Sequence, residues 1–230
     1  MEKETATPEF SLIVPVAADT ALSENRIPRV FTPGDDGTLL CIKAITGLNL
    51  DVFDNIYFTI LRKHAERYDV DSLLRLQFGR LGLEKAKIII LDETTSSQAE
   101  TVARTIEKAG IDGAIFIKDA DGYFEAEVYP ENGVAVYPLE RLDLVDPKNK
   151  SYVSVDDMQH ITNIIEKRVM SHLFNAGGYC FENAAEFLDV FNQLKDHANL
   201  YLSHIIYYML LERNLFRPIV VENYIDKNIQ

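Results

Sequence analysis

The sequence lacks the features that mark secreted, membrane and metal-cluster proteins. Only two cysteines occur in 230 residues, Cys41 and Cys180, and both lie inside apolar stretches. Neither a disulfide framework nor a zinc cluster is indicated, so a reducing compartment is expected. The opening segment MEKETATPEF is polar and contains no signal-peptide core. Because no apolar run approaches the length that spans a bilayer, we expect a soluble cytoplasmic protein without a membrane partner.

Basic residues are also scarce. Lysine and arginine number 23 against 36 aspartates and glutamates, which gives a formal net charge of −13. Nucleic-acid surfaces need basic patches to bind the phosphate backbone, so this composition argues against a nucleic-acid partner. A small phosphorylated ligand stays compatible with the charge, provided that a local lysine or arginine and a divalent cation offset the acidic field.

Common catalytic and nucleotide-binding signatures are missing as well. No G-x-G-x-x-G or G-x-x-x-x-G-K-[ST] follows the first strand-like run, and no G-x-S-x-G or Cys/His nucleophile signature occurs. The five histidines form neither H-x-x-x-H nor H-E-x-x-H. The sequence therefore does not favour a dinucleotide fingerprint, a P-loop or a common hydrolase site.

What the chain does contain is an alternation of strand-like and helix-like segments. Runs rich in Ile and Val, typical of strands covered on both faces, lie at 11–16, 55–60, 86–91, 113–118, 133–138 and 217–222. Helix-like stretches lie at 38–48, 64–82, 97–110, 182–197 and 200–214. The third opens with the S-x-x-E pattern of a capping box at Ser97, which predicts the start of a helix. Because strands and helices alternate early in the chain and no linker or repeat interrupts it, we predict a single α/β domain over 11–230. Its sheet should be mixed and mostly parallel with helices on both faces, after a disordered N-terminus at 1–10.

Two carboxylates end the strand-like run in AIFIKDADGYF, residues 114–124. Asp119 and Asp121 have two interpretations. They form a turn, since Asp and Gly commonly end strands. Alternatively they form a metal site, because ligands of open α/β sheets bind at the carboxyl ends of strands and an i, i+2 pair points the same way. Hard oxygen ligands there suit Mg²⁺ or Mn²⁺.

Two later features also have alternative interpretations. Gly177 and Gly178 in FNAGGYCF indicate either a close backbone approach or a tight turn between strands. Asp226 ends the run VENYID, where it is either a solvated acid or a second acid at a strand end.

Four segments in this order resemble the sugar-nucleotide pyrophosphorylases, or nucleotidyltransferases, of the GT-A-like fold. They are TTSSQAETVARTI, FIKDADGYF, IIEKRVMSHLFNAGGYCF and LYLSHIIYYMLLERNLFRPIVVENYID. The resemblance extends from about residue 10 to residue 226. It implies a Rossmann-like domain that binds a nucleoside triphosphate and a phosphorylated acceptor and releases pyrophosphate.

The resemblance also implies roles for the acids and for the base-binding segment. Asp121 and Asp226 would hold Mg²⁺ or Mn²⁺, with Asp119 as a neighbouring acid. Ser97 and Gln98 belong to the segment that would pack near the nucleotide base.

The acceptor side is implied by the third segment. Lys167 would neutralise the acceptor phosphate, and Glu166 would accept hydrogen bonds from acceptor hydroxyls. Asn175 and Gly177 would line the same side.

The segment after the first strand departs from the family pattern. The family has a Gly-rich G-x-G-[ST]-R loop followed by P-K-P, whose amides and cations bind the triphosphate. This chain reads PVAADTALSENRIPRVFTP, with Ala17 and Ala18 in place of glycines. Arg26 and Arg29 are the candidates to replace the loop Arg and the Lys of P-K-P. The final motif departs too, because Lys-Asn rather than Trp-Gly follows Asp226.

Three functions stay open at this point. The first is a nucleotidyltransferase with a divergent loop that transfers a nucleotidyl group to a phosphorylated sugar or similar acceptor for surface or capsular polysaccharide synthesis. The second is a non-catalytic relative that binds a nucleotide-sugar or serves as a partner subunit. The third is a GT-A glycosyltransferase that uses Asp119 and Asp121 as a DxD motif. The sequence does not determine the oligomeric state, and a homo-oligomer is among the options.

Overall fold

The computed structural model describes residues 9–17, 27–141 and 149–226. Its strands are β1 (Phe10–Pro15), β2 (Asn55–Leu61), β3 (Ala86–Leu91), β4 (Ala114–Lys118), β5 (Gly122–Glu125), β6 (Gly133–Pro138), β7 (Ser151–Val155), β8 (Ile161–Glu166), β9 (Leu173–Phe181), β10 (Arg217–Val220) and β11 (Glu222–Asp226). Its helices are α1 (Leu40–Lys43), α2 (Arg62–Tyr68), α3 (Val70–Leu81), α4 (Gln98–Ala109), α5 (Ala184–Leu194) and α6 (Leu202–Leu211). None of the described helices is long and apolar enough to cross a membrane.

Nine strands form the central sheet. Seven follow the order β10-β6-β9-β4-β1-β2-β3, and β7 pairs with β9 and with β8. The strands β1 to β4 pair in parallel, whereas β9 runs antiparallel to both β4 and β6. The remaining strands, β5 and β11, form a separate antiparallel ribbon. The predicted α/β class with a mixed sheet is confirmed.

Apolar residues cover both faces of the sheet. In β1, Leu12 and Val14 belong to one buried cluster and Ile13 to the other, as the two-residue period of a strand requires. Helix α3 contributes Leu74 to the first cluster, and α4 contributes Val102 to the second. Burial on both faces explains why the strands read as continuous Ile/Val runs rather than as alternating patterns.

The predicted helices are present with changed boundaries. The segment 64–82 contains two helices, α2 and α3, because Asp69 adopts a left-handed backbone with φ of 53° and interrupts the first helix. The segment 38–48 retains only the four residues of α1. Residues 1–8 of the predicted disordered N-terminus lie outside the described residues, and Phe10 already belongs to β1.

Five strands were missed by the sequence patterns, namely β5, β7, β8, β9 and β11. The tight-turn interpretation of Gly177 and Gly178 is wrong, since both residues lie inside the nine-residue strand β9. That strand joins the parallel half of the sheet to β6 and β7, so the glycines sit in the middle of the sheet.

Candidate functional site

The carboxyl ends of the parallel strands β1, β2, β3 and β4 meet at one edge of the sheet, and Asp119 lies directly after β4. Its backbone N–H donates to the Gly177 carbonyl at 2.8 Å, which holds the strand end against β9. Gly177 has φ of +85°, and a Cβ there would lie 2.6 Å from the Asp119 Oδ2. The close-approach interpretation of this glycine is therefore confirmed, because no larger residue fits beside the Asp119 carboxylate.

The amino end of α4 reaches the same acid. Ser97 caps α4 by accepting a hydrogen bond from the Glu100 amide at 3.2 Å, as its S-x-x-E pattern predicts. The next residue, Gln98, donates from Nε2 to the Asp119 Oδ1 at 2.5 Å. Burial and the neighbouring Asp121 raise the pKa of Asp119, against the opposing effects of Lys118 and Gln98. The predicted nucleotide-binding residues Ser97 and Gln98 thus lie at the end of α4 that contacts Asp119.

Lys118, the last residue of β4, is fully buried beneath the acid pair. Its Nζ donates to the carbonyls of Asp119 and Gly122 at 2.8 and 2.7 Å and lies 4.4 Å from the centre of the Phe124 ring. Burial lowers the pKa of Lys118 to about 8, although Asp119 and Asp121 oppose this change. The ammonium fixes the turn that carries both acids. In the sequence, the only signal for this role of Lys118 is its position at the end of an otherwise apolar run.

A second lysine holds the acid at the end of β11. The Lys150 Nζ donates to the Asp226 Oδ2 and to the Tyr224 hydroxyl, both at 2.7 Å. The side chains of Lys150 and Asp226 are only 17% and 9% exposed. Burial lowers the pKa of Lys150, but Tyr224 and Asp226 outweigh burial and raise it above its ordinary value. Asp226 is therefore a largely buried ion-pair partner, and the solvated-acid interpretation is wrong.

Electrostatic interactions link Lys118, Lys150 and their neighbouring acids into one charged cluster. Lys118 and Asp119 each interact with both Asp121 and Lys150. Burial raises the pKa of Tyr224 to about 12, and the Asp121 charge acts in the same direction. The three predicted acids therefore belong to one charged site at this edge of the sheet.

This site does not have the arrangement of a three-carboxylate metal centre. Across residues 9–17, 27–141 and 149–226, no three His, Cys, Asp or Glu side chains gather closely enough to hold a metal ion. One oxygen of Asp226 already binds an ammonium, and one oxygen of Asp119 binds the Gln98 amide. Hard carboxylate donors are present, yet their arrangement does not fit a divalent cation held by three carboxylates. The expected Mg²⁺ or Mn²⁺ stays a prediction.

The two predicted acceptor-binding residues, Glu166 and Lys167, lie in different environments. The Glu166 Oε2 accepts hydrogen bonds from the hydroxyls of Ser151 and Ser203 at 2.6 and 2.7 Å. The next residue, Lys167, has φ of 55° and is exposed, and its Nζ donates to the Tyr201 hydroxyl at 2.7 Å. Its backbone N–H donates to the Lys150 carbonyl at 3.0 Å, so the pair is joined to the charged cluster.

Two buried residues of β9, Asn175 and Tyr179, also interact with this charged cluster or with the strand that carries Gly177. Asn175 accepts the Gly177 N–H at 2.8 Å through its Oδ1, which orients the strand beside Asp119. The pKa of Tyr179 is raised well above its ordinary value by burial and then by the charges of Asp119 and Glu166. Tyr179 therefore lies within electrostatic range of both Asp119 and Glu166. The signal for this tyrosine in the sequence was the Gly-Tyr pair, Gly178 and Tyr179, in the third segment that carries the resemblance.

The predicted loop residues are only partly described. Ala17 is buried against Leu61 and Leu91, at the ends of β2 and β3. Arg29 lies exposed in a short 3-10 helix (Arg29–Phe31). Ala18 and Arg26 lie outside the described residues, so their predicted roles stay predictions.

A separate open cleft lies beside the ribbon of β5 and β11. Its volume is about 580 Å³. It is lined by Thr46, Gly47, Leu48, Asn49, Tyr123, Glu125, Ala126, Glu127, Val220 and Glu222. None of the predicted site residues lines it, so this cleft does not locate the predicted site.

Comparisons with known proteins support the fold. Neither a protein-family model nor a curated protein matches the chain. A nucleoside-diphosphate-sugar pyrophosphorylase from Vibrio cholerae RC9 superposes with a TM-score of 0.72 at 16% identity, over 94% of each chain. The inositol-1-phosphate CTP transferase from T. maritima gives 0.70 at 15% identity, over 96% of this chain and 88% of that one. UDP-glucose pyrophosphorylase complexed with UDP-glucose gives 0.69 at 12% identity, over 96% and 94%. The chain thus has the fold of the sugar-nucleotide pyrophosphorylases and nucleotidyltransferases.

Proposed function

We propose that this protein transfers a nucleotidyl group from a nucleoside triphosphate to a phosphorylated sugar or similar acceptor, with release of pyrophosphate. The observation that carries the proposal is the convergence of Gln98, the strand-end acids and the Glu166–Lys167 pair at one edge of this fold. The solved structures that share the fold over nearly the whole chain include enzymes named for such reactions. Fold alone does not establish activity, so the site has to be tested directly.

For this reaction the protein mainly has to position the two substrates and neutralise their charge. The acceptor phosphate attacks the α-phosphorus in line, the bond to the bridging oxygen breaks, and pyrophosphate leaves. In this proposal Ser97 and Gln98 lie on the nucleotide side, while Lys167 attracts the acceptor phosphate. Glu166 keeps Oε1 for an acceptor hydroxyl, because both serine hydroxyls bind Oε2.

The finer parts of the function belong to the same proposal. The product would be a nucleotide-sugar for surface polysaccharide synthesis in the cytoplasm. Arg26 and Arg29 would neutralise the β- and γ-phosphates in place of the family's loop cations. These assignments follow from the sequence resemblance.

One observation favours a second candidate, a non-catalytic protein that binds a nucleotide-sugar. The Lys150 ammonium occupies an oxygen of Asp226, the acid that the resemblance assigns to a metal ion. A chain that has lost triphosphate chemistry could retain such a site for a diphosphate ligand. The two candidates differ in whether pyrophosphate is released.

Pyrophosphate release, measured with a coupled inorganic pyrophosphatase assay, tests the proposal. Each of the four ribonucleoside triphosphates and dTTP is combined with a panel of sugar 1-phosphates, with and without Mg²⁺. We expect turnover with one nucleotide and a loss of roughly 10- to 100-fold in kcat/KM for Lys167→Met. The matched control is Lys195→Met, because Lys195 is an exposed lysine near the end of α5. Zero release from every combination contradicts the proposal and favours the binding protein.

A further inference from the structure

Lys150 lies among aromatic rings and next to an acid. Its stem lies near the Phe174 and Tyr224 rings, with Nζ at 5.9 and 5.3 Å from their centres. The ammonium bridges Tyr224 and Asp226, both on β11, from a position just before β7. A buried carboxylate needs a compensating charge, and here the chain supplies that charge itself.

The same ammonium retains a way to bind a ligand. An ammonium has three N–H donors, and the described residues accept two of them, at Tyr224 and Asp226. The side chain is 17% exposed, so the third donor can reach an oxygen from outside. Lys118 lacks this access, because it is fully buried and directed at two carbonyls.

We propose that the Lys150 ammonium takes the place of a divalent cation at Asp226, so that the site binds nucleotide phosphate groups without a metal ion. Asp226 is committed to the lysine by a short charge-assisted hydrogen bond. A divalent ion would have to displace that ammonium from a largely buried position. The ligand class, a nucleotide phosphate, rests on the proposed function, but the competition between Lys150 and a metal ion for Asp226 does not.

A titration with Mn²⁺ alone tests this competition without any turnover. Isothermal titration calorimetry should show no binding of Mn²⁺ to the wild-type chain at submillimolar concentrations. Lys150→Met should bind Mn²⁺ at least tenfold more tightly, since Asp226 is then released to ligate. Lys150→Arg, which keeps the charge, should not gain affinity, and Lys150→Met combined with Asp226→Asn should lose the gain.

Two outcomes overturn the proposal. One is equal Mn²⁺ affinity in the wild type and Lys150→Met. The other is submillimolar binding to the wild type that Asp226→Asn abolishes, and this result is decisive even if Lys150→Met fails to fold.

Inorganic pyrophosphate serves as the anion probe. Its affinity for the wild type should be the same in EDTA as in Mg²⁺ and should fall in Lys150→Met, whereas a requirement for Mg²⁺ overturns the proposal. A chain that releases no pyrophosphate in turnover assays but gains Mn²⁺ affinity in Lys150→Met contradicts the proposed function and supports this inference.

Discussion

Gly177 shows how a single residue shapes this site. Its φ is +85°, and a Cβ at this position would lie within 3 Å of the Asp119 side chain, which leaves no room for a larger residue. Gly177→Ala should lower the free energy of unfolding by about 1–3 kcal/mol through backbone strain and displacement of the acid. Urea denaturation measures the change.

A matched glycine provides the control for that substitution. Gly79 lies in α3, and a Cβ there meets nothing within 4 Å. Gly79→Ala should raise stability by about 0.5–1 kcal/mol, because alanine favours the helix. Equal effects at the two glycines would contradict the close approach at Gly177.

The buried ammonium of Lys118 makes the stability of the folded protein depend on pH. Its pKa is about 8 in the folded protein and is lowered from an ordinary value of 10.5. Between these values the unfolded chain binds more protons, so the Lys118 contribution to stability rises as pH rises from about 8 towards 10.5. Relative to Lys118→Met, the wild type should gain roughly 1–2 kcal/mol between pH 7.5 and 9.5.

Urea denaturation of both proteins across this pH range measures that difference. Comparison with Lys118→Met removes the contributions of the tyrosines, which titrate in both proteins. A wild-type advantage that stays constant or falls with pH would show that the Lys118 pKa is not lowered.

At the scale of the element, the amino end of α4 combines a helix cap with a contact to the strand-end acid Asp119. Ser97→Ala removes the hydrogen bond to the Glu100 amide and should cost about 1 kcal/mol of stability. Because Gln98 is the next residue and binds Asp119, the same variant should also weaken nucleotide binding. Urea denaturation and a nucleotide thermal-shift titration measure the two effects.

Asn183 supplies the matched control for the cap. It caps α5 by accepting hydrogen bonds from the amides of Ala185 and Glu186. Asn183→Ala should cost a similar amount of stability and leave nucleotide binding unchanged. If both variants affect binding equally, α4 has no special role at the site.

At the scale of the whole molecule, the order of the sheet predicts where local unfolding begins. Strands β1 and β4 are adjacent in the middle of the sheet and are buried on both faces, whereas β10 is an edge strand with exposed end residues. Hydrogen exchange followed by mass spectrometry should be slowest in peptides over 10–15 and 114–118 and faster over 217–220. Equal protection of β10 and β1 would contradict this order.

The net charge of the molecule also bears on how it would attract a ligand. A chain with a net charge of −13 needs local cations to attract a phosphorylated ligand. Lys118 and Lys150 supply two ammonium groups at the edge where the acids gather. Of the two, Lys150 is the partly exposed one, and Lys118 is fully buried.

Local patterns in the sequence were enough to predict the α/β class, the six Ile/Val strands, the cap at Ser97 and the acids at strand ends. Each depends on neighbours a few residues away, whose periodicity and turn chemistry can be read directly. The strand β9 escaped prediction because two glycines in a strand look like a turn until another backbone is seen against them. The ion pair of Lys150 and Asp226 joins residues 76 positions apart. Only the tertiary structure, which brings the residue before β7 next to the end of β11, decides that the second acid binds a lysine.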